Sequence, residues 1–412
     1  MIFIEGNKLL SNYQHGFRCK SSTTTNLINF TKFINDAFNN NNEVHCCFLD
    51  FNKAFDAISH RHLVDTLSKL GFPLVFTRLI NSYLSMHMQL VSINNQNSEP
   101  TICASEVPQG SVLGPILFNL FVNDLGNVIN QCSYLQFADD LKLFKVISNS
   151  NRLSDMHDMQ SDLDNILKWC NNCNLHLNKD KCKLMVFHKM KSTMNSSSCA
   201  FYHLYGENIQ KVNNHLDLGV LYDSSIDFNA HIKQIITKAN RAKAIMSRCF
   251  SFSSVIIKLH LYKAFIWPIL KYACQLWNLT SSKLISDLEK VQRSFTRHLD
   301  QNNFMNDYAT HLSTYQLHSL EDRRAILDAC FMYKVCHDSV NLTNLSDLEL
   351  QFVSSEHHKY NFVQKMSRSN CISHEFSRKI ISTWNQLPDK IKESPSFNGF
   401  KQSLLNFYSS NQ

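Results

Sequence analysis

Between Glu43 and Asp50 the apolar positions alternate: Val44, Cys46 and Phe48 share one face and Asp50 follows in the same parity, the pattern of a β-strand. The Asn-rich run Asn39–Asn42 before it reads as a turn. After Asp56, Leu63, Leu67 and Leu70 recur at helical spacing, and Gly71 with Pro73 ends that helix. A second helix is expected over Pro108–Leu125, entered through a Gly and Pro cluster, with Val112, Ile116 and Leu120 on one stripe. Tyr134–Phe144 has the alternation of a tight hairpin, since Leu135 and Phe137 precede two acids and Leu141 and Leu143 follow them. Asp139 and Asp140 then lie at its tip. A helix over Leu153–Trp169, a strand over Lys183–Phe187 and a polar loop or linker over Lys191–Ser198 complete this part.

From Asn229 onward strand patterns become scarce. Ile232, Ile235, Ile236, Ala239, Ala242, Met246 and Cys249 share one face of a helix, and Lys233, Lys238, Arg241 and Arg248 fall on the other. Charge sharpens that picture. The chain carries a net charge of +7, and the stretch Lys233–Arg297 holds 12 Lys and Arg against two acids, Asp287 and Glu289, so the positive charge belongs to one region. An anionic partner suits such a surface.

At 412 residues with 44% hydrophobic content, the chain is long enough for two or three domains with sizeable cores. Its 14 Cys without regular spacing, and the lack of an apolar leader, point to a reducing intracellular compartment, nuclear or cytoplasmic. No apolar run is long enough for a membrane span. Cys170 and Cys173 have the spacing of half a zinc site without a second half, so they read as ordinary thiols.

Adjacent aspartates at a hairpin tip repel each other and gain little from strand propensity. A hard divalent cation offsets that cost. Asp50, at the end of an earlier strand, is the natural third carboxylate of a platform for two ions, which activate an attacking oxygen and steady a leaving one. Such acids alone fit many phosphotransferases and nucleases.

Four strings in order narrow the reading: CFLDFNKAFD (Cys47–Asp56), VPQGSVLGPILF (Val107–Phe118), QFADD (Gln136–Asp140) and LHLNKDKC (Leu175–Cys182). Together they resemble successive palm motifs of reverse transcriptases, and most of all those of jockey-like non-LTR retrotransposons. The resemblance implies an α+β fold: a right-hand polymerase palm with partial fingers, followed by a mainly helical thumb and C-terminal region. Residues 1–42 would be the partial fingers, 43–225 the palm, 226–300 a basic helical thumb or connection, and 301–412 a helical region without an assigned role.

By the same resemblance Asp50, Asp139 and Asp140 are the catalytic, metal-binding acids for two Mg²⁺, with Mn²⁺ as the substitute. Phe55 matches the position whose ring excludes a 2′-hydroxyl. Gln109 and Gly110 match the support for the incoming nucleotide, and Ser111 that for the nucleic acid. Lys181 matches a lysine near the phosphates, although Lys179 and Lys183 stand close by. QHGFRCKSST (Gln14–Thr23) resembles a fingers segment in which Arg18 contacts the triphosphate. HLDLGVLYD (His215–Asp223) resembles the segment that grips the primer end. Lys233, Lys238, Arg241 and Arg248 would hold a duplex by its phosphates.

The implied partners are an RNA template, a DNA primer and dNTP, with no membrane. WPILKYACQLW (Trp267–Trp277), LEDRR (Leu320–Arg324) and WNQLPDKI (Trp384–Ile391) extend the likeness toward the C-terminus. Only 13 residues precede Gln14, where relatives carry more fingers and an endonuclease, so an N-terminally truncated product is expected. A truncated chain that only binds nucleic acid is the alternative to a working polymerase. A nuclease would need a separate acid set, and none has suitable spacing.

Overall fold

The computed structural model describes residues 2–85, 88–102, 105–108, 110–189, 201–277, 282–300, 307–337, 339–340, 361–362 and 372–410. The chain divides into two compact units, Met1–His215 and Leu216–Gln412. The expected linker Lys191–Ser198 lies outside the described residues, as does Gln109.

In the first unit, helix α1 (Ile2–Gly6) precedes α2 (Thr23–Asn39). Ser22 and Thr25 form a capping box at the start of α2: Ser22 Oγ accepts from Thr25 N at 3.2 Å and Thr25 Oγ1 from Ser22 N at 2.9 Å. Strand β1 (Glu43–Leu49) leads to α3 (His60–Lys69) and α4 (Leu74–Leu84). Four two-residue strands follow, β2 (Met88–Gln89), β3 (Ser92–Ile93), β4 (Gln96–Asn97) and β5 (Thr101–Ile102), with β2 paired to β5 and β3 to β4. After α5 (Gly114–Phe121) and a 3₁₀ turn over Asn123–Val128 come β6 (Ser133–Phe137), β7 (Asp140–Ile147), α6 (Arg152–Cys173) and β8 (Lys183–Phe187). The unit ends with β9 (His203–Leu204), β10 (Glu207–Asn208) and β11 (Gln210–Val212).

One five-stranded sheet organises the unit, in the order β11-β8-β1-β7-β6. Its pairings are antiparallel except β11 with β8, which is parallel. The alternation read over Glu43–Asp50 suggests a strand buried on one face, but Val44 through Leu49 are all buried. The reason is position: β1 is central, and both of its faces are covered. On one face Phe30 of α2 meets Phe48, Phe144 and Phe187, at centroid distances of 6.0, 5.2 and 5.7 Å, so one ring packs on three strands. Burial of such a side chain contributes about 1.5–3 kcal/mol. On the other face Cys47, Leu49, Leu141, Leu143 and Leu184 join Met159, Leu163, Ile166 and Trp169 of α6 in the main core.

The expected helix over Pro108–Leu125 is shorter in fact, beginning at Gly114 and ending at Phe121. Gly110 takes a positive φ of 79°, Ser111 Oγ accepts from Gly114 N at 3.0 Å, and Pro115, without an N–H, fits the first turn. Val112 precedes the helix and is 87% exposed, so it does not share a buried stripe with Leu120. Cys170 and Cys173 are buried thiols raised to about 12 by burial.

The second unit contains the hairpin strand β13 (Val220–Asp223), which follows β12 (Asn214–Asp217), and then the long helix α7 (Asn229–Cys249). Asp223 holds the approach to α7: its carboxylate accepts from the backbone N–H of Ser225, Asp227 and Phe228. His231, Ile232, Ile235, Ala239 and Met246 are buried, while Cys249, expected on that face, is exposed in the last turn. Helices α8 (Val255–Leu261) and α9 (Trp267–Lys271) flank a π-helical turn over Tyr262–Ile266. Then come α10 (Ser282–Leu299), α11 (Tyr308–Thr314), α12 (Leu320–Cys336), α13 (Ile372–Asn385), α14 (Asp389–Lys392) and α15 (Phe397–Ser410). Among the described residues no strand follows β13. Gln292 ties this region together: its Oε1 accepts from Tyr262 and Trp267, and its Nε2 donates to Tyr308 and to His318 O. A buried amide with its groups satisfied in this way fixes one arrangement of the helices.

Stability of the first unit should depend on pH through His15. Its ring is fully buried with Nδ1 2.8 Å from Thr25 Oγ1, and burial, with Lys142 and Arg18 nearby, lowers its pKa to about 3. The unfolded chain takes up that proton near pH 6.5 and the folded chain does not, so stability is present above pH 6.5 and is lost as pH falls toward 3. About 2 kcal/mol should be gone by pH 5. Urea unfolding of His15→Asn should show roughly one proton less of linkage between pH 6.5 and 5; an unchanged slope would exclude His15 as the source.

Candidate active site

The register of β1 on β7 places the first acid. Glu43 pairs with Ile147 and Leu49 with Leu141, so one further step sets Asp50 beside Asp140 at the strand ends. On the other side of β7, Phe137 pairs with Asp140, which leaves Ala138 and Asp139 as a two-residue turn. Ala138 has φ 56°, the left-handed conformation that tight hairpins require and alanine rarely adopts. Asp139 is half-buried, and Asp140, the first residue of β7, is exposed.

Burial pushes the Asp139 carboxyl above its ordinary range, and the charge of Asp50 pushes it the same way, while Lys181 opposes both. The two carboxylates are therefore close enough to feel one another. Lys181 completes the group, with Nζ 3.2 Å from Asp50 Oδ1. The loop carrying it docks on the end of β1: Asn178 N donates to Asp50 O at 2.8 Å, and Asn52 N to His176 O at 2.7 Å. Lys179 instead pairs with Glu207, and Lys183 donates to Gln210, so the geometry separates three lysines that the sequence leaves close together.

Phe55 is half-buried and stacks on Phe118 of α5, with centroids 4.4 Å apart and an interplanar angle of 26°. Its carbonyl accepts from Val107 N at 3.2 Å, which joins the segment after Asp50 to the segment before α5. Gly110 is exposed beside Ser111, whose hydroxyl is used to start α5. Arg18, expected to contact the triphosphate, is paired within the chain here. Its Nε and Nη2 donate to Glu5 at 3.1 and 2.7 Å and its Nη1 to Ser11 O at 2.5 Å, with the side chain only 5% exposed. A triphosphate would have to displace Glu5 to reach it.

Sequence reasoning missed Gln14, Gly16, Asn26 and Asn119, which reach the Ala138–Asp139 turn or its neighbours. Gln14 Oε1 accepts from Ala138 N at 2.9 Å, Asn26 Nδ2 donates to Gln136 O at 2.9 Å, and Asn119 Nδ2 to Gly16 O at 2.7 Å. The available signal was Asn119, a polar residue inside the apolar run GPILFNLF. In the second unit, Lys233, Lys238, Arg241 and Arg248 are exposed along α7, opposite its buried face.

Among the described residues, no three His, Cys, Asp or Glu side chains stand close enough together to hold a metal ion by themselves. Hard divalent cations that keep water and phosphate ligands need only one or two protein carboxylates. Asp50 and Asp139 meet that need. Their mutual repulsion and the burial of Asp139 are the electrostatic conditions that a dication reverses.

A five-stranded sheet with α2 on one face and α6 on the other, carrying acids at the adjoining ends of β1 and β7, is the α+β palm of a right-hand polymerase. Residues 3–228 match the family described as reverse transcriptase (RNA-dependent DNA polymerase), and the chain belongs to that family. It is 26% identical over 302 residues to the RNA-directed DNA polymerase from mobile element jockey of Drosophila melanogaster, an alignment covering 71% of this chain and 32% of that protein. Against the probable RNA-directed DNA polymerase from transposon X-element of the same species it is 27% identical over 308 residues, covering 71% and 32%. The chain thus spans about a third of the length of these curated relatives. A solved telomerase from Candida tropicalis, in complex with a TWJ fragment of telomeric RNA, is 12% identical with a TM-score of 0.39, covering 97% of this chain and 53% of that one. That likeness is too low to bear on function.

Proposed function

We propose that this chain is an RNA-directed DNA polymerase of a jockey-like non-LTR retrotransposon, adding dNTPs to a DNA 3′-hydroxyl on an RNA template. The observation that carries this is the approach of Asp50 and Asp139 from two paired strand ends, with Lys181 3.2 Å from Asp50. The relatives at 26–27% identity bear the same activity in their names. Reverse transcriptases use divalent metal ions. In this reading Asp50 and Asp139, with Asp140 peripheral, would hold two Mg²⁺, for which Mn²⁺ can substitute. When bound, they lower the pKa of the attacking 3′-hydroxyl and neutralise charge on the phosphates.

The protein's own groups then do the rest. Lys181 would neutralise charge on the departing pyrophosphate. Phe55, backed by Phe118, presents a fixed ring under the incoming sugar. Gly110 and Ser111, with Gln109 between Pro108 and Gly110 in the chain, would seat the nucleotide and template at the approach to α5. Lys233, Lys238, Arg241 and Arg248 form an exposed basic row suited to the phosphates of the primer–template duplex. Arg18 would act on the triphosphate after release from Glu5. The same reading puts partial fingers in residues 1–42, the palm in 43–225, a thumb or connection in 226–300 and a helical region in 301–412, in an intracellular protein.

Extension of a primed homopolymer RNA with Mg²⁺ is the direct test. Asp50→Asn and Asp139→Asn should each lower incorporation on the order of 10³-fold or more while circular dichroism stays unchanged. Wild-type rates in either variant would defeat the assignment. Phe55→Val should raise ribonucleotide use relative to dNTP, and an unaltered sugar preference would remove the gate. Affinity for primer–template should fall steeply with salt, and neutralising Lys233, Lys238, Arg241 and Arg248 together should reduce that slope by roughly 3–4. A slope that does not move would take α7 out of the interface.

A further inference from the structure

The segment Tyr13–Gly16 runs along β6, the edge strand of the palm sheet. Gln136 N donates to Tyr13 O and His15 N to Gln136 O, each at 2.9 Å, so the segment behaves as a short additional strand. Its next step is made by a side chain. Ala138 N donates to Gln14 Oε1 at 2.9 Å, and Gln14 Nε2 donates to Ala138 O at 3.3 Å, so a single amide spans both backbone groups of the residue before Asp139. Gly16 N donates to the same Oε1 at 2.8 Å, which fixes the amide from behind. The approach is close enough that a Cβ on Gly16 would lie 2.4 Å from Ala138 N. Asn119 carries the contact into α5 through Gly16 O, and Asn26 carries it into α2 through Gln136 O.

This cluster is costly. Gln14, Asn26, Asn119 and Gln136 are at most 2% exposed, and among the described residues Asn26 Oδ1, Asn119 Oδ1 and Gln136 Nε2 have no hydrogen-bond partner. Apolar side chains in their place would leave the backbone groups of Ala138 and Gly16 unpaired and take one donor from Gln136 O, so the work of the cluster is on the backbone. What it does is hold a backbone conformation: Ala138 sits at φ 56°, which an alanine leaves readily unless its surroundings determine it.

We infer that Gln14 is a positioning residue, a strut that locks the Ala138 backbone and so fixes the Asp139 carboxylate where a divalent ion would be held. The inference rests on the polymerase reading for its kinetic consequence and on the hydrogen bonds alone for its structural one. Loosening the strut lets the turn relax, and a displacement near 1 Å at a reacting group costs on the order of 10²-fold in rate.

Gln14→Met keeps the length of the side chain and removes its amide; Gln14→Asn, one methylene shorter, serves if the first variant does not fold. In the full chain, turnover should fall about 10- to 100-fold with the dNTP KM changed by less than about twofold. Amide exchange at Ala138 should accelerate at least about tenfold. Binding of Mn²⁺, followed by its electron paramagnetic resonance signal, should weaken about threefold or more, since the strut sets one of its carboxylates. Ile166→Val, a core change in α6 with a comparable loss of Tm, should move none of these. Turnover within about twofold of wild type, or unchanged exchange at Ala138, would overturn the inference. Should the wild-type chain incorporate nothing, the polymerase reading fails, and exchange with Mn²⁺ binding still decides the strut: both altered in Gln14→Met supports it, either unchanged removes it.

Discussion

The register of β1 against β7 is the constraint on which the rest of the palm depends. Side chains alternate across a strand, so a slip of one residue would send every inward group of β1 to the opposite face. Here neither face can accept the exchange. Phe48 is fitted under Phe30, while Cys47 and Leu49 are fitted against the core shared with α6. Burial on both faces therefore selects one register, and that register decides where Asp50 ends up. The position of the carboxylate is thus set by its apolar neighbours.

The second acid has no such support from its own strand. A two-residue turn must pass through a left-handed residue, and alanine is a poor choice for it. The polar cluster around Gln14 lies beside that turn, where the sheet itself supplies no further ladder. The loop Leu175–Cys182 performs a similar task for Asp50 through backbone bonds, and brings Lys181 with it. Two segments distant in sequence thus hold the ends of two strands. Their hydrogen bonds contribute modestly to stability, about 0.5–1.5 kcal/mol each, and much more to geometry.

What could be read in the sequence follows from the range of the interaction involved. β8 and the hairpin β6–β7 were legible because alternation over a few residues determines them, and α7 because its apolar and basic positions separate at 100° per residue. The early start assigned to α5 failed for a local reason, since Ser111 and Pro115 define a helix beginning that periodicity does not detect. The two-sided burial of β1 and the pairing of Arg18 with Glu5 depend on tertiary contacts. Gln14 lay inside a recognised string, but nothing in the string indicates that its amide spans Ala138. The acids were readable as residues; the scaffold that aims them was not.

Selection of sugar is the step where this scaffold matters most to the proposed activity. A steric gate discriminates only if its ring yields less readily than the substrate, because a 2′-hydroxyl adds one small oxygen and a mobile ring would accommodate it. Phe55 is held from beneath by Phe118, which is fully buried, and by its own carbonyl bond to Val107 N. Phe118 belongs to α5, whose start is set by Gly110, Ser111 and Pro115. The same helix that would seat the template thus braces the ring that would read the sugar. Movement of α5 would disturb both together, so a substitution that loosens Phe118 should blur sugar choice without touching Asp50 or Asp139.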